Sequence, residues 1–174
     1  MRAERIKCLN NLKQIGIACR LFAADHNDRY PQRLSTNDGG TLEFDANIAA
    51  HFRALSNELR YAKLLHCPTD SRRQDTNFAT LTALNISYFI GMETGELLPQ
   101  MILVGDDNLI TNGVPVGSGW LIPQTNLIVG YGKDRHESCG NVGMSDGSAQ
   151  QLTSARLGDS LQRPPNLTNR FLLP

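Results

Sequence analysis

Apolar residues recur at helical spacing over the first part of the chain. From residue 8 they form one stripe, made of Cys8, Leu12, Ile15, Cys19 and Phe22. Steps of three and four residues share a face only in an α-helix, which turns once in about 3.6 residues. Polar residues occupy the other face, and an Asp-His-Asn-Asp run leads into Tyr30-Pro31. The pattern predicts a long helix over residues 3–27 with one buried face.

The connecting region, residues 28–85, has weaker signals. The Ser-Thr-Asn-Asp-Gly-Gly stretch within residues 32–44 is typical of a loop. Asp45 is a candidate N-cap for a second, shorter helix whose apolar positions are Ile48, Phe52, Leu55 and Leu59. Residues 63–67 resemble a short strand that ends at Pro68.

Residues 86–153 are expected to be β-rich. Apolar runs at 87–92, 101–105, 120–122 and 127–129 are separated by Gly, Pro, Asn and Asp, and the short connections favour antiparallel pairing. Asp146-Gly147 predicts a hairpin with a two-residue type I′ turn. Residues 154–174, with Pro164-Pro165 and Phe171-Leu172-Leu173, should be an extended tail that can dock on the body. The prediction is one α+β domain, a long helix packed on an antiparallel sheet of about four to six strands.

Composition removes several function classes. The 174 residues include 17 Lys and Arg against 17 Asp and Glu, so no net charge attracts nucleic acid or anionic lipid. The basic residues are dispersed along the chain, and only Arg72 and Arg73 are adjacent. Because they form no basic cluster, nucleic acid is not an expected partner. No apolar run reaches the roughly 18 to 20 residues that cross a bilayer. The helical pattern is already running at residue 6 without a capping residue, which favours a missing upstream segment.

Four sequence elements carry a resemblance to a known family. They are residues 5–18, residues 22–31 at the helix exit, Cys67-Pro68-Thr69-Asp70, and residues 136–147 with Gly140-Asn141-Val142 and Ser145-Asp146-Gly147-Ser148. In this order they resemble the pseudopilin family of type IV pilin-like and type II secretion proteins, in particular the large pseudopilin-like families of planctomycetes and verrucomicrobia. The chain departs from that family in lacking the apolar N-terminal segment with its processing site.

The resemblance implies a pilin-like head with a structural role and no catalytic residues. Such a head is a subunit of a type II secretion or type IV pilus-like envelope filament, and its partners are other pseudopilins and secretion-apparatus proteins. It would lie on the periplasmic side of the inner membrane, anchored through a missing N-terminal helix. An alternative class is an extracytoplasmic glycan- or calcium-binding module anchored by such a helix, with Trp120 and Tyr88 lining a pocket.

The four cysteines are Cys8, Cys19, Cys67 and Cys139. On one helix Cys8 and Cys19 would be about 16 Å apart, well beyond the roughly 7 Å that a disulfide spans. The absence of a CxxC pair argues against a structural zinc site. The resemblance suggests pairing Cys8 with Cys67 and Cys19 with Cys139. Buried free thiols, or a Cys67–Cys139 bridge alone, remain open alternatives.

Metal and catalytic candidates are few. Calcium ligands could come from Asp25, Asn27 and Asp28, or from Asp106, Asp107 and Asn108, although neither set matches an EF-hand loop and the second is also typical of a turn. A thiol nucleophile would need His136 beside Cys139, with Asp134 and Asp146 near in sequence. The simpler expectation is that Asp134 and His136 cap loop amides, that no residue is catalytic and that no cofactor is bound apart from a calcium ion at most.

Overall fold

The computed structural model describes residues 2–124, 126–161 and 169–174. Helix α1 spans Arg2–Ala24, and its five stripe residues are at most 4% exposed. The predicted long N-terminal helix is therefore confirmed. It ends before Asn27 and Asp28, whose φ angles of 54° and 59° cannot continue a right-handed helix. Among the described helices, none combines the length and the apolar character that crossing a membrane requires.

The connecting region is built from short helical turns. Two short α-helices, α2 (Ile48–Arg53) and α3 (Ser56–Leu59), lie among 3₁₀ turns at Pro31–Arg33, Thr36–Asp38, Leu42–Phe44, Ala62–Leu65 and Ala83–Asn85. The predicted single helix is wrong, because Leu55 N–H bonds three residues back to Phe52 O and so breaks the α-helical ladder. The cap of α2 is also not Asp45. It is Asn47, whose Oδ1 accepts the Ala50 N–H at 3.1 Å.

The strand predicted at residues 63–67 is also wrong. Ala62–Leu65 is a 3₁₀ turn, and the backbone bonds here are local, such as His66 N–H to Lys63 O at 3.3 Å. A strand requires a ladder with a neighbour, whereas this segment makes one backbone bond toward the sheet, from Ser87 N–H to Leu65 O.

His51 ties α2 to the loop before it. Its Nδ1 lies 2.8 Å from Thr41 Oγ1 and its Nε2 lies 2.8 Å from the Asp45 carbonyl oxygen. A neutral imidazole fits both contacts, because Nε2–H donates to the carbonyl while Nδ1 accepts from the hydroxyl. Burial lowers the pKa of His51, although the contact with Asp45 opposes this shift.

We expect His51 to make the protein sensitive to acid. Below about pH 6.5 the unfolded chain binds a proton at this histidine that the folded chain does not, so the free energy of unfolding falls as the pH falls. His51→Gln should remove the part of this pH dependence that comes from His51. Urea midpoints measured between about pH 8 and pH 5 should therefore decline less in the variant than in the native chain, and parallel declines would contradict the expectation.

The described residues form nine strands in two antiparallel sheets. The strands are β1 Tyr88–Gly91, β2 Ile102–Asp106, β3 Leu109–Thr111, β4 Val114–Pro115, β5 Gly119–Leu121, β6 Val129–Tyr131, β7 Cys139–Met144, β8 Ala149–Thr153 and β9 Phe171–Leu173. The larger sheet has the order β5-β9-β1-β2-β7-β8, and the smaller has the order β4-β3-β6. The α+β class, with one long helix and antiparallel sheets, is confirmed.

Helix α1 packs on one face of the larger sheet, mainly over β7, β8 and β2. A Cβ at Gly143 would lie 3.3 Å from the Leu12 carbonyl oxygen, so this glycine allows the helix to approach the sheet closely. The opposite face is covered by the smaller sheet and by α4 (Ser154–Leu161), whose Leu157 is fully buried. The sheet therefore separates two apolar clusters.

The β7–β8 hairpin closes through three residues, Ser145, Asp146 and Gly147. Gly147 N–H donates to Met144 O at 3.0 Å, and Met144 N–H donates to Ser148 O at 2.8 Å. Of the three loop residues only Gly147 has a positive φ, 82°, whereas a type I′ turn needs two consecutive ones. The predicted hairpin is present, but its turn type is wrong.

The C-terminal part of the chain returns to the sheet. Residues 154–161 form α4 rather than the expected extended segment, while Pro164-Pro165 lies outside the described residues. Strand β9 inserts between β5 and β1, with Leu172 opposite both Trp120 and Ile90. Residues 171–173 are buried, so they complete the sheet instead of merely docking on it.

Candidate functional site: a buried cluster of cysteine, histidine and aspartate

Four polar side chains from distant segments meet beneath α1. One ligand atom from each lies within 4.8 Å of the others, and all four residues are buried: Cys8, Cys67, Asp106 and His136. Cys8 comes from α1, Cys67 follows the 62–65 turn, Asp106 ends β2, and His136 lies between β6 and β7. We refer to these four residues as the buried cluster.

Cys8 and Cys67 form a disulfide, with their Cα atoms 5.3 Å apart. This is the pairing that the resemblance suggested for these two cysteines. Cys67 is fixed by its own backbone, since its N–H donates to Ser87 Oγ at 2.9 Å and its carbonyl accepts from Asp70 N–H at 2.9 Å. The Cys67-Pro68-Thr69-Asp70 element is therefore a turn that presents the cysteine to the helix.

His136 reaches the disulfide from an unusual loop. Residues 136, 137 and 138 have φ angles of 51°, 56° and 61°, and such left-handed residues cost about 1 to 2 kcal/mol each. The loop places His136 Nε2 3.4 Å from Cys67 Sγ and 3.5 Å from Asp106 Oδ2. Burial, aided by the nearby Arg5 and Arg135, lowers the pKa of His136 to about 4, so its imidazole is neutral at pH 7.

Asp106 is a fully buried carboxyl group. Its Oδ2 accepts the backbone N–H and the Nδ2–H of Asn141, both at 2.8 Å, whereas its Oδ1 has no hydrogen-bond partner among the described residues. Burial raises the pKa of Asp106 to about 7, although the Asn141 hydrogen bonds and Arg135 oppose this shift. The folded protein therefore disfavours the charged form of Asp106 relative to water.

A network of ion pairs borders the buried cluster. Arg72 Nη2 lies 2.6 Å from both Asp70 Oδ2 and Asp107 Oδ2, and Arg135 pairs with the same two carboxylates. Ser87 Oγ adds a hydrogen bond to Asp70 Oδ2 at 2.7 Å. Burial alone would raise the pKa of Asp70, but the bonds from Arg72 and Ser87 outweigh it and hold that pKa well below its usual range.

The two sets of calcium candidates do not form clusters of this kind. Asp106, Asp107 and Asn108 diverge: Asp106 faces Asn141, Asp107 is neutralised by two arginines, and Asn108 donates to the carbonyls of residues 132 and 135. Asp106 belongs to β2 and not to a turn. The other set, Asp25, Asn27 and Asp28, lies exposed after α1. Within the described residues, the buried cluster is the group with metal-binding geometry.

The structure separates the residues of the hypothetical thiol nucleophile. His136 faces Cys67 and not Cys139, while Asp146 lies in the β7–β8 turn, where its Oδ1 accepts the Ser148 N–H at 2.8 Å. Cys19 and Cys139 are free thiols, which corrects their suggested pairing. Cys19 is fixed on the buried face of α1, whereas Cys139 begins β7 at the partly exposed sheet end.

Trp120 and Tyr88 do not line the pocket that was expected for a glycan-binding module. Tyr88 is fully buried, and its hydroxyl accepts a hydrogen bond from Asn11 Nδ2 at 3.2 Å. Trp120 is half-buried and lies under the Arg170 guanidinium, 4.8 Å from the ring centroid. A sugar cannot stack on Tyr88 without opening the core.

Comparison with protein-family models, with curated proteins and with solved structures finds no match for this chain. Its function must therefore be inferred from the arrangement of its own residues.

Sequence reasoning missed two parts of this site. It placed His136 in a loop-capping role and Asp106 in a turn, and it did not place either beside Cys67. It also did not predict the ion pairs of Asp107 with Arg72 and Arg135. A usable signal was present in Asp70 and Arg72, which are two residues apart in a loop directly after a cysteine.

Proposed function

We propose that this chain is a structural, pseudopilin-like subunit of an envelope filament of the type II secretion or type IV pilus kind. The observation that carries the proposal is that the four family-like sequence elements lie together in the fold. Two of them are α1 and its exit, and the other two pack against this helix. The Cys67-Pro68-Thr69-Asp70 turn meets the first half of the helix, and the segment from His136 to Gly147 runs beneath its length.

The first half of α1 is held to the body by several bonds of different kinds. Besides the disulfide, Arg5 Nη2 donates to Gly140 O at 3.2 Å. Asn11 Nδ2 donates to His66 O at 3.2 Å. These bonds join the helix to both the connecting region and β7, so a load applied to the helix passes directly into the sheet.

The second half of α1 is held by the β7–β8 hairpin. A Cβ at Gly16 would lie 3.2 Å from Gly147 Cα, and Arg20 Nη1 donates to Asp146 O at 3.0 Å. Beyond the helix, Tyr30 Oη donates to Ser145 O at 2.6 Å. A subunit that is retained in a filament through its helix needs this kind of attachment, because the helix must carry the head with it.

The outer face of α1 offers a surface to a neighbour. Ile6, Ile17 and Leu21 are 45%, 45% and 55% exposed. They lie 11 and 4 residues apart, about three turns and one turn, and so share one outward stripe. We propose that this stripe contacts the helix of an adjacent pseudopilin in a head-to-tail, non-closing association, with the head on the periplasmic side of the inner membrane.

The test uses photo-crosslinking in the cells that produce the protein. A benzophenone amino acid at position 17 should crosslink to a second copy or to another pilin-like subunit. The same amino acid at Leu84, which is 74% exposed in the 83–85 turn, is the matched control. Equal crosslinking from the two positions, or crosslinks from position 17 only to proteins unrelated to a filament, would contradict the proposal.

Charge substitutions provide the second arm. Ile17→Glu with Leu21→Glu should abolish assembly, because two carboxylates would be placed in an apolar helix contact. Both side chains are exposed, so the thermal midpoint of the isolated chain should change little. Leu84→Glu should leave assembly and stability unchanged.

A further inference from the structure

We propose that the reduced chain binds a divalent transition metal, Zn²⁺ in preference, through the four residues of the buried cluster: Cys8, Cys67, Asp106 and His136. The proposal does not depend on the filament function. It assigns to the cluster a second state, in which the two sulfurs bind a metal instead of each other.

The donor set fits this class of metal. Two thiolates and an imidazole are ligands that Zn²⁺ prefers, and a carboxylate is an accepted fourth ligand. Ca²⁺ and Mg²⁺ take oxygen ligands almost exclusively, so this cluster is unsuited to them. The absence of a CxxC pair does not oppose the site, because the fold brings the ligands together from four separate segments.

The distances also fit. In a tetrahedral site with bonds of about 2.0 to 2.3 Å, the ligand atoms lie about 3.3 to 3.8 Å from one another. His136 Nε2 is already 3.4 Å from Cys67 Sγ and 3.5 Å from Asp106 Oδ2. The two sulfurs, released from their bond, need only separate to a similar distance, and both side chains rotate about a single Cα–Cβ bond.

A disulfide alone does not account for the polar groups around it. Asp106 is fully buried, and its Oδ1 has no partner among the described residues. His136 uses Nε2 to face the sulfur and the carboxylate, which is the nitrogen that a metal ligand would use. A buried carboxylate with incomplete hydrogen bonding is costly, and a cation bound at its Oδ2, the oxygen that faces His136, would compensate its charge.

Conversion of the disulfide to the metal-bound state requires only a phosphine, water and Zn²⁺. A phosphine reductant donates the electron pair that breaks the Cys8–Cys67 bond and becomes a phosphine oxide by taking oxygen from water, which leaves two thiols. Binding of Zn²⁺ then releases both thiol protons. A newly synthesised chain carries these thiols before the disulfide forms, so its metal loading requires no reductant.

The experiment uses Co²⁺ as a spectroscopic probe in the full chain, in a Cys19→Ala, Cys139→Ser background that leaves Cys8 and Cys67 as the available thiols. The phosphine-reduced protein should bind one equivalent, with thiolate-to-cobalt charge-transfer absorption in the near ultraviolet and intense visible bands of tetrahedral Co²⁺. Addition of Zn²⁺ should remove both signals. The oxidised protein should give neither.

Two ligand variants locate the site. Asp106→Asn retains an oxygen acceptor for Asn141, so the variant is expected to fold, and circular dichroism checks this. Asp106→Asn and His136→Gln should each weaken Co²⁺ binding by at least about tenfold, since even the loss of outer-shell support has that effect. As a control, Asp134→Asn, in the same loop but outside the cluster, should leave the affinity unchanged.

Several results would overturn the proposal. They are the absence of charge-transfer absorption in the reduced protein, equal binding by the oxidised protein, and weak visible bands of the octahedral ion alone. Unchanged affinity for Co²⁺ in both ligand variants, when both are folded, would also overturn the proposal. If one ligand variant does not fold, the comparison of reduced with oxidised protein and the other variant still decide the question.

Discussion

Reduction of the Cys8–Cys67 disulfide is expected to lower the free energy of unfolding by about 4 kcal/mol. The two cysteines are 59 residues apart, and a cross-link across a loop of that length removes chain entropy of this size from the unfolded state. Guanidinium unfolding of the oxidised and phosphine-reduced chain measures the difference. A chelator should be present, so that metal binding by the reduced cluster does not offset the loss.

The control for this prediction is a Cys8→Ser, Cys67→Ser variant. It should be about as unstable as the reduced native chain, and the phosphine should not change its stability further. A Cys139→Ser variant should retain the full response, because Cys139 is a free thiol. A response to the phosphine that persists without Cys8 and Cys67 would show that the stabilising bond lies elsewhere.

Removal of the Arg135 charge should lower the free energy of unfolding nearly as much as reduction of the Cys8–Cys67 disulfide. Arg135→Met keeps much of the side-chain volume but leaves Asp70 and Asp107, which are 6% and 7% exposed, with Arg72 alone. Breaking a buried ion pair on one side costs about 3 kcal/mol or more, because the remaining charge is left poorly compensated. Urea unfolding at neutral pH should show a loss of this size.

Arg170→Met is the matched control. Arg170 pairs with Glu93 at 2.6 Å but is 45% exposed, so its loss should cost no more than about 1 kcal/mol. Adding Asp107→Asn to Arg135→Met should recover part of the stability, since the uncompensated carboxylate is removed. Equal losses in the two arginine variants, without recovery by Asp107→Asn, would count against a buried network.

The sequence predicts the parts of this fold that depend on local patterns. The stripe of α1 has one spacing that only a helix satisfies, and Gly147 marks the left-handed residue of the β7–β8 turn. The errors occur in the connecting region and in the tail, where the local pattern is short or weak and contacts with the rest of the chain decide the conformation. The apolar run at 63–67 suits a strand, but Ala62–Leu65 folds as a 3₁₀ turn whose backbone bonds are mostly local.

The buried cluster was harder to predict for a different reason. Its members come from α1, the connecting region, β2 and the β6–β7 loop, and only the packing of these segments in the fold makes them neighbours. Asp106 belongs to a strand that pairs with β7, which places it against Asn141. A pattern of residue types can suggest chemistry within one segment, but it contains no distance between segments.

The position of β9 has a consequence for how the protein is made. Its Leu172 lies between Ile90 and Trp120, so β1 and β5 have no contact through the sheet until this late segment has left the ribosome. Long-range pairing of this kind slows folding. During that delay the edges of β1 and β5 that β9 will occupy are unpaired, and Leu172 is not yet present in the apolar cluster that it shares with α1, so the incomplete chain should aggregate more readily than the finished one.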